Sequence, residues 1–306
     1  MSYVCVVGGI NVDICGRSEK KLVPADSNPG RVTVSPGGVG RNIAHNLTLL
    51  GVPVKMLTAL GTDPNADLAR ADCRRIGIDL SEAKTVPGGV TSSYLYVEGP
   101  EKELAVGICD AAIAEEVTPA YIREKQSVLD GAAAVVMDGN IPEETLACIG
   151  ALARCPVFAD PVSVTKGRKL LGVLPALYAV KPNVKEAEML AGRAIAGEAE
   201  LREAAARILA KGVKNVYISR GAEGLYAAGP GWELSLPNPP DLRTVGTNGC
   251  GDTMTAALAA AYIMGLGPEE TARFALGAAA LALESEETVN PGLTREAALR
   301  KAGLIS

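Results

Sequence analysis

YVCVVGG, residues 3–9, is an apolar run that ends at two glycines, and it predicts a short buried β-strand followed by a turn. Similar runs recur at Val54–Leu60, Ala133–Met137, Val157–Asp160, Tyr178–Lys181 and Val216–Ser219. These strands are apolar throughout instead of alternating with polar residues. They therefore predict a mainly parallel sheet that is covered on both faces.

Amphipathic helical stretches lie between most of these strands. They are Arg41–Leu50, Asn65–Ile76, Glu143–Arg154 and Glu200–Lys211. Strands that alternate with helices in this way predict an α/β fold with helices on both faces of the sheet. In such sheets ligands bind at the carboxyl ends of the strands, so we expect the functional site there.

Two segments, 14–35 and 90–108, do not fit a strand–helix–strand unit. The first contains Pro, Gly and a strand-like stretch at Arg31–Val34. The second predicts two alternating strands, Thr91–Val97 and Glu103–Ile108, around a turn at Gly99. Both segments predict a small β-layer that stands off the main sheet as a lid. The exposed edge of a lid strand would permit a homodimer. Without repeats or a long linker, residues 1–306 are expected to form one domain.

Composition removes several classes of function. With 48% hydrophobic residues and 21% charged residues, the 306-residue chain can bury a large core and is not disordered. The 30 basic and 35 acidic residues give a net charge of -5, with no basic block. Nucleic acid is therefore not expected as a partner. No membrane-length apolar segment or cationic leader is seen, so we expect a cytoplasmic protein without a membrane partner.

The counts of histidine and cysteine argue against several kinds of metal and catalytic site. His45 is the only histidine, which argues against a His-based metal site or a proton shuttle built on any other histidine. The seven cysteines form no CxxC pair. A zinc ribbon or a disulfide framework is therefore not expected. We expect the cysteines to be reduced thiols.

The strongest local feature is Thr247–Asp252 (TNGCGD), which precedes a helix of small residues at Thr253–Met264. Glycines at a helix start allow a ligand to approach the backbone, and the first amides of the helix are unpaired. This arrangement predicts an anion hole. Asp252 in the first turn has two interpretations: a functional carboxylate beside the hole, or only an N-terminal cap.

A second glycine-rich stretch, Pro36–Asn42 (PGGVGRN), also enters a helix. It lacks the GxGxxG spacing and does not follow the first strand, which argues against a dinucleotide site. The first strand is followed by Gly8–Asp13 (GGINVD). There Asn11 and Asp13 are short polar side chains that can bind hydroxyl groups. Taken alone, each stretch is equally consistent with a turn and a helix entry.

Two further loops have alternative interpretations. In Lys181–Glu188, Asn183 and Glu186 have the spacing of a capping box, but both could also reach a hydrated Mg²⁺. Ser219–Gly224 (SRGAEG) follows a strand. It is consistent with an ordinary hairpin or with a backbone surface on which a purine lies.

Together and in this order, these loops resemble the ribokinase-like (PfkB) family of sugar and nucleoside kinases. The resemblance covers nearly the whole chain, and its signature is GGVGRN at 37–42 with GCGD at 249–252. A further set of segments is similar to the branch of the family that phosphorylates pseudouridine. They are Ala25–Gly30, Pro36–Asn42, Thr91–Leu95, Asp160–Ser163, Arg273–Ala275 and Asn290–Leu293.

The resemblance implies a three-layer α/β sandwich with a β-lid and an ATP- and Mg²⁺-dependent kinase of a nucleoside. It implies that Asp252 is the base for the 5′-hydroxyl and that the amides of Gly249, Cys250 and Gly251 form the anion hole. The implied substrate-binding residues are Asn11, Asp13, Gly38, Gly40, Arg41 and Asn42 for the ribosyl group, with Asn28 and Ser93 for the base edge. The implied ATP-site residues are Asn183, Ser219, Gly221, Gly224, Gly249 and Gly251, and those for Mg²⁺ are Asn183 and Glu186.

Two positions depart from the family pattern. Gly246 stands where many members carry an aspartate that helps to hold a monovalent cation, so dependence on K⁺ is in doubt. Cys250 stands where the family has alanine, and only its backbone amide is needed for the anion hole. Three alternatives stay open: a kinase of ribose, adenosine or inosine; a nucleoside-binding protein without catalysis; and a NAD-dependent dehydrogenase, against which the missing GxGxxG argues.

Overall fold

The computed structural model describes residues 2–305, and its strands form three sheets. The strands are β1 (Tyr3–Val7), β2 (Asn11–Ser18), β3 (Gly30–Gly37), β4 (Val54–Leu57), β5 (Ala59–Leu60), β6 (Ile78–Asp79), β7 (Lys84–Thr85), β8 (Ser93–Glu98), β9 (Leu104–Asp110), β10 (Ala132–Asp138), β11 (Val157–Asp160), β12 (Ala179–Val180), β13 (Asn215–Ser219), β14 (Leu225–Gly229) and β15 (Trp232–Leu236).

The central sheet has nine strands in the order β15-β14-β13-β12-β11-β10-β1-β4-β6. All neighbours from β13 to β6 are parallel, whereas β14 and β15 pair antiparallel. The prediction of a mainly parallel sheet is therefore confirmed. The predicted strand Val54–Leu60 is wrong in one respect. It divides after Leu57, because β5 leaves the central sheet and pairs with β7 in a separate two-stranded sheet.

Helices cover both faces of the central sheet. They are α1 (Val39–Leu49), α2 (Pro64–Ile76), α3 (Pro119–Glu124), α4 (Gln126–Asp130), α5 (Glu143–Leu152), α6 (Val164–Gly167), α7 (Val184–Ala191), α8 (Glu198–Ala210), α9 (Cys250–Met264), α10 (Pro268–Leu283) and α11 (Arg295–Lys301). The four predicted amphipathic helices correspond to α1, α2, α5 and α8, and the predicted helix Thr253–Met264 lies within α9. In α2 the Asp63 side chain caps the first turn and Gly77, at a φ of 84°, ends the helix.

Two hydrophobic clusters lie on opposite faces of the sheet, and β1 contributes to both. Val4 and Val6 pack with α1, α2, α9, α10 and α11, whereas Cys5 and Val7 pack with α3, α4, α5, α7 and α8. Successive strand side chains point to opposite faces, so an apolar run such as β1 serves two cores. The three-layer α/β arrangement expected from the sequence is therefore confirmed.

A four-stranded sheet in the order β3-β2-β8-β9 stands apart from the central sheet, as predicted for the lid. The bounds of its strands differ from the predicted stretches. Arg31–Val34 lies within the longer β3, and β8 begins at Ser93 instead of Thr91. Asn11 and Asp13, expected in a turn before a helix, lie on β2. They belong to a strand because β2 pairs along its whole length with β3. That residues 1–306 form one domain stays a prediction.

Candidate active site

The carboxyl ends of three neighbouring parallel strands meet the start of α9. Asp138 ends β10 and Asp160 ends β11, directly beside each other in the sheet register. Lys181 follows β12, and Asp252 lies in the first turn of α9. All four side chains therefore gather where an α/β sheet binds its ligands.

The start of α9 has the geometry of an anion hole. Gly249 is the N-cap residue at a φ of 75°, and a side chain there would overlap the Thr288 carbonyl oxygen. Within residues 2–305, the amides of Gly249, Cys250 and Gly251 donate no hydrogen bond. These amides, at the positive end of a 15-residue helix, are free for an anionic ligand.

Asp252 does not cap its helix, so the capping interpretation is not supported. Its Oδ2 accepts a hydrogen bond of 2.9 Å from Asn42 Nδ2, 210 residues away in the sequence. Burial and the nearby Asp160 charge raise the pKa of Asp252 to about 7, while the Asn42 hydrogen bond and Lys181 act in the opposite direction. A carboxyl group with a pKa near neutrality can accept a proton and release it again at physiological pH.

Lys181 is a site residue to which the sequence assigned no role. Its ammonium group is buried and lies 3.4 Å from Asp160 Oδ2. A β-carbon on Gly251 would lie 3.1 Å from Lys181 Nζ, so the ammonium group borders the anion hole. Burial lowers the pKa of Lys181, but Asp160, Glu186 and Asp252 outweigh burial and raise it, so the group stays charged. A lysine directly after an apolar strand was the signal available in the sequence.

Asn11 and Asp13 lie together at the start of β2, with Asn11 Nδ2 donating to Asp13 Oδ1 at 2.5 Å. Burial raises the pKa of Asp13 to about 6, against the opposing charge of Arg41. Gly38, at a φ of 99°, permits the close approach of Asn11, since a β-carbon there would lie 2.6 Å from Asn11 Oδ1. The predicted hydroxyl-binding groups Asn11 and Asp13 are therefore adjacent, and Gly38 makes room for them.

Gly40 and Arg41 are placed differently from the predicted substrate contacts. A β-carbon on Gly40 would lie 2.9 Å from the Gly8 backbone, so this glycine lets α1 pack against the turn after β1. Arg41 is buried and pairs with Asp72 of α2 at 2.6 Å, and its other terminal nitrogen donates to Asn42. Gly40 therefore sets how α1 packs against the turn after β1, and Arg41 contacts Asp72 and Asn42.

Asn28 and Ser93 do not meet at one base edge. Ser93 pairs with Val12 near the start of β2, whereas Asn28 lies in the loop beyond Ser18 at the other end. Six residues of strand separate these ends, about 20 Å at roughly 3.3 Å per residue. Asn28 also makes three hydrogen bonds to the backbone of its own loop. The Asn28 side chain thus already stabilises its own loop, and its contact with a base stays a prediction.

A cavity of about 530 Å³ adjoins the anion hole. The predicted residues Ser219, Gly221 and Gly224 line it together with Cys250 and Gly251. Gly224 has a φ of 90°, and a side chain there would overlap the Leu236 carbonyl oxygen. The hairpin between β13 and β14 therefore gives the cavity a backbone wall. Apolar side chains also line the cavity: Leu242, Met254, Leu276 and Leu283.

Asn183 and Glu186 form the capping box of α7. Asn183 Oδ1 accepts from the Glu186 amide at 3.0 Å, and Glu186 Oε2 accepts from the Asn183 amide at 2.9 Å. Asn183 also forms a backbone bridge with Ser219 at the cavity. Glu186 Oε1 accepts no hydrogen bond from residues 2–305, so one oxygen of this buried carboxylate is available. The same side chains thus cap the helix and keep one acceptor for a hydrated cation.

Two observations concern the binding of cations. Gly246 leaves no room for a carboxylate, since a β-carbon there would lie 2.5 Å from the Ser285 carbonyl oxygen. Among residues 2–305, no three His, Cys, Asp or Glu side chains are grouped as a metal site.

Across residues 2–305, every helix is too short or too polar to cross a bilayer.

Comparison with known proteins identifies relatives of this chain. The model of the pfkB family carbohydrate kinases matches residues 1–295. Pseudouridine kinase of Escherichia coli K12 is 37% identical over 293 residues, which cover 95% of this chain and 94% of that protein. An uncharacterized sugar kinase of the same organism, YeiI, is 33% identical over 304 residues, covering 99% and 84%. The crystal structure of a ribokinase from Thermotoga maritima has a TM-score of 0.87 at 23% identity, with 99% and 100% covered, and shares the fold.

Proposed function

Because the chain belongs to the pfkB family of carbohydrate kinases and is a phosphotransferase with an alcohol acceptor, we propose that it phosphorylates the 5′-hydroxyl of pseudouridine with ATP. The observation that carries the proposal is the position of Asp252. Its carboxylate accepts a hydrogen bond from Asn42 of α1, and it lies in the first turn of the helix that begins at the anion hole beside the cavity. A base placed there serves a hydroxyl that attacks a phosphoryl group.

In the proposed mechanism, Asp252 takes the proton of the 5′-hydroxyl as the O5′–P bond forms. The bond between the γ-phosphorus and the β,γ-bridging oxygen breaks, and ADP leaves. The free amides at 249–251 and the Lys181 ammonium group face the charge that develops on the transferred group. Phosphoryl transfer depends mainly on such positioning and electrostatic stabilisation. A single preorganised donor of this kind contributes roughly 10²–10³ in rate.

The nucleoside would bind beneath the four-stranded sheet. Asn11, Asp13 and Asn42 supply the acceptors and donors for the ribosyl hydroxyls. Tyr94 pairs with Asp13 in the register of β2 and β8 and lies on the same face of the sheet. Its ring, stacked on Tyr96 with centroids 5.1 Å apart, offers a flat surface that suits a base and that free ribose would leave uncovered.

ATP would occupy the cavity lined by Ser219, Gly221 and Gly224, with its phosphates directed to the start of α9. Kinases of this family use ATP and Mg²⁺. Asn183 and the free oxygen of Glu186 would hold Mg²⁺ through its waters, and the ion would neutralise phosphate charge. These requirements, with seven unpaired cysteines, favour a cytoplasmic location.

A substrate panel tests the proposal. Purified protein is given ATP, Mg²⁺ and pseudouridine, uridine, inosine, adenosine, ribose or fructose in turn, and ADP formation is measured. We expect kcat/KM to be highest for pseudouridine. Higher values for ribose or another nucleoside would favour the alternative of a different sugar or nucleoside kinase, to which the 33% identical sugar kinase points. No turnover with any acceptor would favour a binding protein.

We expect kcat to fall as the pH decreases below about 7. The pKa of Asp252 is raised to about 7, so the carboxylate needed as a base is lost on its acidic side. The rate at saturating pseudouridine and ATP, measured from about pH 5.5 to pH 9, should rise and then level off. A kcat that stays constant down to the lower limit would contradict the assignment of Asp252 as the base.

We expect iodoacetamide to alkylate Cys250 slowly at pH 7 and faster as the pH rises, because burial and Asp252 raise the pKa of its thiol to about 11. Bound ATP should protect it, since Cys250 lines the cavity. Cys250→Ala should remain active and resist inactivation, with modification mapped by peptide mass. Equal inactivation of both proteins would mean that another cysteine is responsible.

The four-stranded sheet also offers a surface for a second copy of this chain. On the face opposite Asp13, apolar side chains are exposed across the sheet, including Val32 at 70%, Val34 at 53% and Ile108 at 63%. Together with Leu95 of the intervening β8, they form an apolar patch that a monomer would leave in water. We infer that this patch packs against the same patch of another copy.

We expect Ile108→Lys to shift the protein from dimer to monomer in sedimentation velocity at micromolar concentration. Leu171→Lys, a control at an exposed apolar residue outside this sheet, should leave the dimer intact. The inference fails if the unsubstituted protein is a monomer at the same concentration, or if both variants remain dimers.

A further inference from the structure

A buried ion pair lies behind the site, between α1 and α2. Arg41 Nη2 and Asp72 Oδ2 are 2.6 Å apart, and their side chains are only 7% and 9% exposed. Arg41 Nε is buried and has no hydrogen-bond partner among residues 2–305. Removing two charges from water is costly, and an unsatisfied N–H adds to that cost. Stability alone therefore does not account for this pair.

The second terminal nitrogen of Arg41 connects the pair to the site. Arg41 Nη1 donates to Asn42 Oδ1 at 3.2 Å, and Asn42 Nδ2 donates to Asp252 Oδ2 at 2.9 Å. A side-chain amide has a donor end and an acceptor end, and the two orientations have nearly the same shape. The guanidinium group can face only the oxygen, so the NH₂ group must face Asp252.

We propose that Asp72 and Arg41 are positioning residues that hold the Asn42 amide in the orientation in which it donates to Asp252. In the reverse orientation Asn42 Oδ1 would face the Asp252 carboxylate, and two acceptors would repel each other. Asp72 contributes by fixing the guanidinium group through Arg41 Nη2. This inference rests on the proposed role of Asp252 as the base.

The proposal predicts a change in the protonation of Asp252. Its carboxylate is faced by Asp160 from β11, Asp138 from β10, Lys181 after β12 and Cys250 of its own helix. The Asn42 hydrogen bond favours the ionised form against the two buried aspartates. Without the correct amide orientation the pKa of Asp252 rises further, and the acidic limb of kcat moves to higher pH.

The test replaces the pair by apolar side chains in the double variant Arg41→Met/Asp72→Leu. Such replacements usually keep a fold as stable as before. We expect the melting temperature to be retained and kcat at pH 7 to fall by about tenfold or more, as for the loss of a hydrogen bond to a charged group. The acidic limb should move upward. KM for pseudouridine should rise, because the Arg41 charge also lowers the pKa of Asp13, so kcat is measured at saturating pseudouridine.

Two single variants complete the design. Arg75→Ala removes the other arginine that pairs with Asp72, at 2.6 Å from Oδ1 on the surface, and it should behave as the unsubstituted enzyme. Asp72→Asn keeps an acceptor for Arg41, so it should fold even if the double variant does not. It should shift the acidic limb in the same direction by a smaller amount.

The outcomes separate this inference from the proposed function. If Asp252→Asn is inactive but the folded Arg41→Met/Asp72→Leu variant has the kcat and pH profile of the unsubstituted enzyme, the positioning role is wrong and the base role stands. An unchanged profile in Asp72→Asn, if the double variant does not fold, leads to the same conclusion. If Asp252→Asn itself keeps normal turnover, the proposed mechanism fails first.

Discussion

Asp252→Asn is expected to lower kcat by about 10³-fold, within the roughly 10²–10⁴ that a general base contributes. The substitution removes the proton acceptor but changes the shape very little. Asn42 Nδ2 can still donate to the amide oxygen at position 252, so the hydrogen bond across α1 and α9 is kept. The variant should therefore fold and bind pseudouridine with nearly the affinity of the unsubstituted protein.

The measurement combines turnover at saturating substrates with calorimetric titration of the nucleoside. The control is Arg75→Ala, a surface change that should leave both the turnover and the affinity for the nucleoside unaltered. Asn42→Asp is unsuitable as a control because it would place two carboxylates together. Turnover of the Asp252→Asn protein within about threefold of normal, well under 1.4 kcal/mol in the activation barrier, would exclude the base role.

Lys181→Met is expected to lower kcat by about 10²-fold, as for the loss of one preorganised charge at a transition state. The ammonium group borders Gly251 at the anion hole, and in the proposed mechanism it faces the transferred phosphoryl group. Removing it also leaves Asp160 buried without its cation, so the single variant should unfold more easily. Stability and catalysis must therefore be separated.

The double variant Lys181→Met/Asp160→Asn separates them. An asparagine at 160 can still accept from the Val162 amide and donate to Thr255 Oγ1, the two partners of the present carboxylate, without leaving a charge behind. We expect this protein to regain the melting temperature but not the rate. If it regains both, Lys181 has only a structural role as the partner of Asp160.

The sequence alone predicts the architecture well because each strand and helix carries its own local pattern. β11 has its predicted limits, and α2 begins one residue earlier than expected, at a capping aspartate and a proline. The unpaired amides at the start of α9 could also be predicted, since the glycines at 249 and 251 act through local backbone geometry. Features of this kind depend on neighbours in the sequence.

Contacts between distant segments could not be predicted in the same way. The hydrogen bond from Asn42 to Asp252 joins residues 210 apart. Nothing near Lys181 in the sequence indicates that Asp160 holds its ammonium group beside Gly251. The loop contacts of Asn28 are local, yet the sequence did not show that its side chain hydrogen-bonds to the backbone of its own loop. Interactions between residues that are far apart in the sequence cannot be recognised from a local sequence pattern.

The buried acidic groups of the site lower the free energy of unfolding as the pH rises toward neutrality. Burial raises the pKa of Asp13 and Asp138 to about 6 and that of Asp252 to about 7, all above the values of an unfolded chain. Groups of this kind favour folding in acid, and that advantage is lost as the pH rises from about 4 to 7. Near neutral pH these ionised carboxyl groups therefore reduce the conformational stability below that which the core alone would supply. In the proposed mechanism, the ionised form of Asp252 that accepts the proton is therefore also the form that disfavours folding.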